Sequence, residues 1–121
     1  MEENLKDNLI VYKTFDFAIG IMDYCDKLER LKKYSLSNQL FKSGTSIGAN
    51  IREAQSPEST ADFIHKLKIS AKEAEETHYW LLLSKNSVDL SEVTDLTDQL
   101  IAIKKIISKI ISSSKKGLNR S

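Results

Sequence analysis

The residues best suited to chemistry are a carboxylate and an imidazole in one helix-like segment. Glu75 and His78 have the Glu-x-x-His spacing with which some four-helix bundles hold a pair of iron or manganese ions. Such a site needs a second copy of the motif and further ligands on facing helices. The only other histidine, His65, follows Asp62 by three residues on the same segment. We therefore predict no metal site and no cofactor.

Other kinds of catalytic site are also missing from the sequence. It contains no glycine-rich phosphate loop followed by lysine, no His-Glu-x-x-His motif and no arguable serine, histidine and aspartate set. The segment GTSIGAN, residues 44–50, follows a helical pattern instead of a strand. Cys25 lies in an apolar stripe, where we interpret it as a small core residue. The sequence thus predicts a protein that is not an enzyme.

Length and composition favour a single globular domain spanning residues 1–121. A chain of 121 residues with 40% apolar and 29% charged residues is long enough for one core and too short for two. No run of about 18 apolar residues is present to span a membrane, and residues 1–8 do not resemble a signal peptide. We expect a cytoplasmic protein. The net charge of +1 gives nucleic-acid binding no support from overall charge.

Apolar spacing predicts an all-α fold, an up-and-down antiparallel four-helix bundle. We expect helices at about 8–31, 36–55, 60–84 and 92–112, followed by a flexible basic tail at 113–121. The first helix has two neighbouring apolar lines. We interpret the line Val11, Phe15, Ala18, Met22 and Cys25 as the bundle seam. The second line, Phe17, Ile21, Tyr24 and Leu28, indicates burial on more than one side.

The second helix is rich in small residues, which is costly for a helix because each glycine costs about 1 kcal/mol relative to alanine. Close packing against another backbone is the usual compensation. We predict a close-packing stripe with a polar seam along its edge, and the alternative is that the polar residues are a solvated surface. The residues concerned are Gln39, Ser43, Gly44, Ser46, Ala49, Asn50 and Glu53.

The third helix has two apolar stripes on opposite faces. One small core cannot cover both of them. The first stripe runs from Ile64 to Leu81. We predict that the second stripe is a subunit interface and that its glutamates have structural roles. This stripe consists of Ile69, Glu73, Glu76, Trp80 and Leu83.

The C-terminal segment is basic, with no acidic residue from Gln99 onward. Its cations are candidates for phosphate contacts. Alternatively, they complement the helix dipole and keep the tail soluble. The residues are Lys104, Lys105, Lys109, Lys115, Lys116 and Arg120.

Three segments together carry a resemblance to a known family: FDFAIGIMDYCDKL, SNQLFKSGTSIGANIREA and DFIHKLKISAKEAEETHYWLLL. Between Phe15 and Leu83 the chain resembles the S23 family, proteins encoded in intervening sequences of bacterial 23S ribosomal RNA genes. The resemblance implies a four-helix bundle that assembles into a homopentameric ring and has no known enzyme activity. It also relates the chain to the accessory protein of diversity-generating retroelements, a basic pentamer that works with a reverse transcriptase and nucleic acid.

Two functions follow as expectations. The first is a non-enzymatic, homo-oligomeric helical scaffold whose further partner is a protein or a ribonucleoprotein. The alternative is a nucleic-acid-binding accessory protein that acts through a basic surface of the ring.

Overall fold

The computed structural model describes residues 8–86 and 90–120 of the chain, with side chains for 8–86 and 91–117. This part of the chain is helical throughout apart from short connections and contains no strand, which confirms the all-α fold class. The predicted absence of a signal peptide concerns residues 1–8, of which all but Asn8 lie outside the described ranges. The four helices are α1 (Leu9–Arg30), α2 (Tyr34–Glu53), α3 (Thr60–Ser84) and α4 (Leu90–Arg120).

The helices form an up-and-down bundle in which each helix packs against two neighbours. α1 contacts α2 and α4, and α3 contacts α2 and α4. Neighbours run antiparallel: Ser37 near the start of α2 bonds with Cys25 near the end of α1. At the other end of the same pair, Gly48 lies against Thr14. None of the described helices is long and apolar enough to cross a membrane.

The residues between α2 and α3 explain why α2 ends and where α3 begins. Pro57 follows α2, and its fixed φ and missing N–H oppose continuation of a helix. The Ser59 hydroxyl then accepts a hydrogen bond of 3.0 Å from the backbone N–H of Asp62. Ser59 is therefore the N-cap of α3, and Asp62 places a carboxylate in the first turn, where the helix dipole favours it.

The seam of α1 differs from the sequence prediction. The second line is the buried one, with Phe17, Ile21 and Leu28 fully enclosed. On the line predicted as the seam, Phe15 and Met22 remain 53% and 46% exposed. The two lines have the same helical spacing, and spacing alone does not decide which of two adjacent lines faces the neighbouring helices. The neighbouring helix decides which line is buried: Gly44 of α2 lies against Ile21 and leaves room for the second line.

The fourth helix is longer than the sequence predicts, since it continues through 113–120 where we expected a flexible tail. This segment contains no proline and only one glycine, Gly117, so extending an existing long helix costs little. Ile111 packs against the core and Ser114 is half-buried. The basic residues of the C-terminus are thus presented on a helix.

Candidate functional site

The Glu-x-x-His pair of α3 is engaged by a lysine of α4. Lys104 Nζ lies 2.7 Å from a carboxylate oxygen of Glu75 and 3.3 Å from Nδ1 of His78. Because an ammonium group only donates, Nδ1 of His78 is the acceptor in this contact. No cluster of three His, Cys, Asp or Glu side chains with metal-binding geometry occurs within 8–86 and 90–120. The geometry around Glu75 is that of an ion pair between helices.

Cys25 is a buried structural residue. Its Sγ donates to the carbonyl of Ser37 at 3.4 Å, and the Ser37 hydroxyl donates back to the carbonyl of Cys25 at 3.3 Å. Burial raises the pKa of the Cys25 thiol. Since the thiolate is the nucleophile, a raised pKa suppresses reactivity near neutral pH. This pair of contacts ties the end of α1 to the start of α2.

Small hydroxyl residues form buried hydrogen bonds between the helices. Ser70 Oγ donates to the carbonyl of Ile47 at 2.9 Å, and the hydroxyls of Thr77 and Ser43 lie 2.9 Å apart. Through these bonds and others, no buried side-chain nitrogen or oxygen in the described residues lacks a partner. Thr77 Oγ1 also lies 2.7 Å from the carbonyl of Glu73, so it keeps a partner without Ser43. Removing the Thr77 hydroxyl would instead leave the buried Ser43 hydroxyl unsatisfied, at a cost of about 1–3 kcal/mol.

Sequence reasoning missed most of these hydroxyl residues, although a signal for them exists. Ser70, Thr77 and Ser84 recur every seven residues along α3, beside the buried apolar line. Seven residues are almost two helical turns, so such residues share one face. At the far end of this row, Tyr24 of α1 donates to Ser84 Oγ at 2.9 Å.

The glycines of α2 permit close approach of α1. A Cβ atom on Gly44 would lie 2.8 Å from Cγ2 of Ile21, and one on Gly48 would lie 3.3 Å from the carbonyl oxygen of Thr14. Ser43 and Gly44 are buried. Of the small and polar residues predicted on α2, these two therefore lie inside the bundle.

The remaining members of that predicted set lie at the outer surface of α2. The hydroxyl of Ser46 donates to the carbonyl of Lys42 at 2.6 Å, and the amide of Asn50 donates to the carbonyl of Ser46 at 2.9 Å. Gln39, Ala49 and Glu53 are exposed. The hydrogen bonds of Ser46 and Asn50 thus satisfy carbonyls of their own helix instead of joining two helices within the chain.

The second stripe of α3 lies beside this outer edge of α2. Trp80 and Leu83 line a groove of about 680 Å³ together with Leu36 and Gln39. By helical spacing, the other residues of the two stripes continue the same surface. We call this surface the α2–α3 face, formed by Leu36, Gln39, Ser46, Asn50, Glu53, Ile69, Glu73, Glu76, Trp80 and Leu83.

Three carboxylates give the α2–α3 face its charge: Glu53 on α2, and Glu73 and Glu76 on α3. Glu76 accepts a hydrogen bond of 3.3 Å from the indole nitrogen of Trp80. Burial raises the pKa of Glu73, the neighbouring carboxylate of Glu76 raises it further, and Lys42 opposes the shift. The ionised form of Glu73 is therefore poorly stabilised within one chain, and an additional cation beside it would be favourable.

A second apolar surface lies between α1 and α2, where the misassigned line of α1 is exposed. A groove of about 210 Å³ brings Phe15 together with Thr45 and Arg52. By helical spacing, Met22 and Phe41, which are 46% and 44% exposed, extend the same surface. The guanidinium of Arg52 lies 5.8 Å from the centre of the Phe15 ring. We call this surface the α1–α2 face, formed by Val11, Phe15, Ala18, Met22, Phe41, Thr45, Ala49 and Arg52.

The predicted phosphate contacts cluster on a third surface. Lys104, Lys105, Lys109 and Lys116 line a groove of about 860 Å³ between α3 and α4, and Lys72 of α3 joins them. We call it the lysine groove. Lys115 is exposed nearby on α4, and the side chain of Arg120 lies outside the described residues. Sequence reasoning missed Lys72 because only the helix packing brings it beside α4.

The fold defines an all-α four-helix bundle, and its surface carries two exposed apolar faces and a groove lined by lysines. A family model described as 23S rRNA-intervening sequence protein matches residues 6–109. The chain belongs to this family. Its fold is similar to the crystal structure of a protein of unknown function from the S23 ribosomal protein family of Bacteroides thetaiotaomicron, with a TM-score of 0.81. The two are 39% identical, over 84% of this chain and 97% of that one. No curated protein matches the chain.

Proposed function

We propose that this protein is a non-enzymatic scaffold whose copies bind one another through the α1–α2 face. The observation that carries the proposal is the exposure of Phe15, Met22 and Phe41, which helical spacing places along the groove between α1 and α2. Contiguous exposed apolar surface with large aromatic side chains is typical of protein interfaces. Neither the family description nor that of the related structure names an enzyme activity.

A second copy of the chain is the partner that fits this face best. The α1–α2 face carries one cation, Arg52, which pairs with no carboxylate in the described part of the chain. The α2–α3 face combines Trp80 and Leu83 with the carboxylates of Glu73 and Glu76. Apolar surface would meet apolar surface, and Arg52 would approach the carboxylate whose ionised form is poorly stabilised.

In this arrangement the α1–α2 face of one copy binds the α2–α3 face of the next copy. Such a contact is heterologous, and it closes into a ring when the rotation between subunits permits. The resemblance to the S23 family supports a ring of five. Within this assembly, the surfaces outside the interface would be free for a protein or ribonucleoprotein partner.

A charge exchange tests this arrangement of faces. We expect Arg52→Glu to lower the oligomer mass, because it places a carboxylate opposite Glu73 and Glu76. Glu76→Arg in the same chain should restore assembly, since every interface then contains the exchanged pair. Sedimentation velocity of the wild type, both single variants and the double variant provides the measurement.

The monomer should tolerate these substitutions because both residues are exposed, and circular dichroism would check that the variants are folded. A double variant that assembles no better than Arg52→Glu alone would contradict the pairing of these two faces. An unchanged mass for all variants would exclude Arg52 from the interface.

A further inference from the structure

The lysine groove is a concentration of positive charge with little acidic compensation. Among the described residues that line the groove, the only acid is Glu75, whose carboxylate is paired with Lys104. The other four lysines, Lys72, Lys105, Lys109 and Lys116, form no ion pair within the described residues. Three serines of the lining supply hydroxyl donors: Ser108, Ser112 and Ser113.

The net charge of +1 conceals this concentration because the charges are segregated along α4. The first part of α4 contains Glu92, Asp95 and Asp98, whereas every charged residue from Gln99 onward is basic. Local potential depends on such segregation and not on the sum over the chain. The groove is therefore electropositive in a nearly neutral protein.

The helix dipole does not explain the lysines. Its effect is confined to about the last turn of a helix, and α4 ends at Arg120. Lys104, Lys105 and Lys109 lie more than two turns before that end. Lys72 is on a different helix, in the middle of α3. The helix dipole therefore accounts for none of these four lysines, and only Lys104 among them has an acidic partner within the described residues.

The shape of the groove favours an extended anion over a single small one. At about 1.5 Å of rise per residue, Lys105 and Lys116 are separated by roughly 16 Å along α4. A strand of nucleic acid presents regularly spaced phosphates over such a distance. No aromatic ring occurs among the described residues that line the groove, so bases would find no stacking platform.

We propose that the lysine groove binds the sugar-phosphate backbone of a nucleic acid without reading its sequence. The lysines supply the charge contacts and the serine hydroxyls supply hydrogen bonds to phosphate oxygens. This binding uses α3 and α4 and does not depend on the interface proposed above.

Fluorescence anisotropy over a range of salt concentrations tests the proposal, with three labelled probes of equal length: single-stranded RNA, single-stranded DNA and duplex DNA. We expect log K to fall linearly with log salt concentration. In the variant Lys105→Gln/Lys109→Gln/Lys116→Gln, binding at low salt should weaken at least about tenfold. The magnitude of the salt slope should fall by about 2–3, since each lysine contributes about one.

A matched control separates the groove from overall charge. The variant Lys13→Gln/Lys33→Gln/Lys85→Gln loses the same charge from exposed lysines outside the groove and should bind within about threefold of the wild type, as expected when no phosphate contact is removed. The probe that binds most strongly would show which kind of nucleic acid the groove prefers. The proposal is overturned if no probe binds at low salt, or if the control variant loses as much affinity as the groove variant.

Discussion

Gly44→Ala is expected to lower the free energy of unfolding by up to about 2 kcal/mol, although alanine is the better helix former. The added Cβ would lie 2.8 Å from Cγ2 and 3.3 Å from Cβ of Ile21, atoms of a fully buried side chain close to its backbone. Overpacking of this kind costs about 1–3 kcal/mol, and the gain in helix propensity of about 1 kcal/mol offsets part of it. Urea denaturation at fixed protein concentration measures the effect.

The same substitution at Gly117 is the matched control. A Cβ there has no neighbour within 4 Å, so Gly117→Ala should raise stability by up to about 1 kcal/mol. The cost of Gly44→Ala should also shrink in an Ile21→Ala background, because Cγ1 and Cγ2 are then absent. If Gly44→Ala stabilises the protein as much as Gly117→Ala, α1 and α2 do not approach as closely as described.

The double variant Phe15→Glu/Phe41→Glu is expected to abolish self-association while the monomer remains folded. Both rings are about half exposed in one chain, so replacing them costs the bundle little core packing. In an assembly they would be buried, and two carboxylates in an apolar contact carry a large desolvation cost. Light scattering at fixed concentration should show the mass of a single chain, and circular dichroism should show unchanged helicity.

The control for this variant uses an equivalent pair on another surface. Leu82 of α3 and Ile101 of α4 are 47% and 38% exposed, and neither belongs to the α1–α2 face or to the α2–α3 face. Leu82→Glu/Ile101→Glu makes the same change in charge and also removes exposed apolar area. It should leave the oligomer mass unchanged. Equal loss of assembly in both variants would argue against the α1–α2 face as the specific interface.

The architecture was predictable because every helix repeats its apolar residues with helical spacing, and α4 does so most regularly. Its buried line, from Val93 to Ile107, matches the pattern without any tertiary information. In α1, apolar spacing was not sufficient to predict which side of the helix is buried. With two apolar lines side by side, spacing predicted a helix but not its rotation, and the rotation was decided by the glycines and hydroxyls of other helices.

The candidate surfaces were predictable to different degrees for the same reason. The stripe of α3 that contains Trp80 was visible in the sequence, because it lies on a single helix. The α1–α2 face and the lysine groove each combine two helices. Lys72 could therefore be recognised as part of the lysine groove only from the helix packing, which places it in one groove with Lys105 and Lys109. The extension of α4 through 113–120 was missed because a polar, serine-rich segment has no periodicity to reveal it.

The most direct test of the central claim is the solution mass of the wild-type chain by light scattering over a range of protein concentrations. Our account predicts a mass of at least two chains, each of 13.7 kDa. If the chains form the five-membered ring that the S23 resemblance implies, the mass is that of five chains. Because the proposed contact is mainly apolar, this mass should change little with salt. A stable species of 13.7 kDa at all concentrations would contradict the proposed self-association.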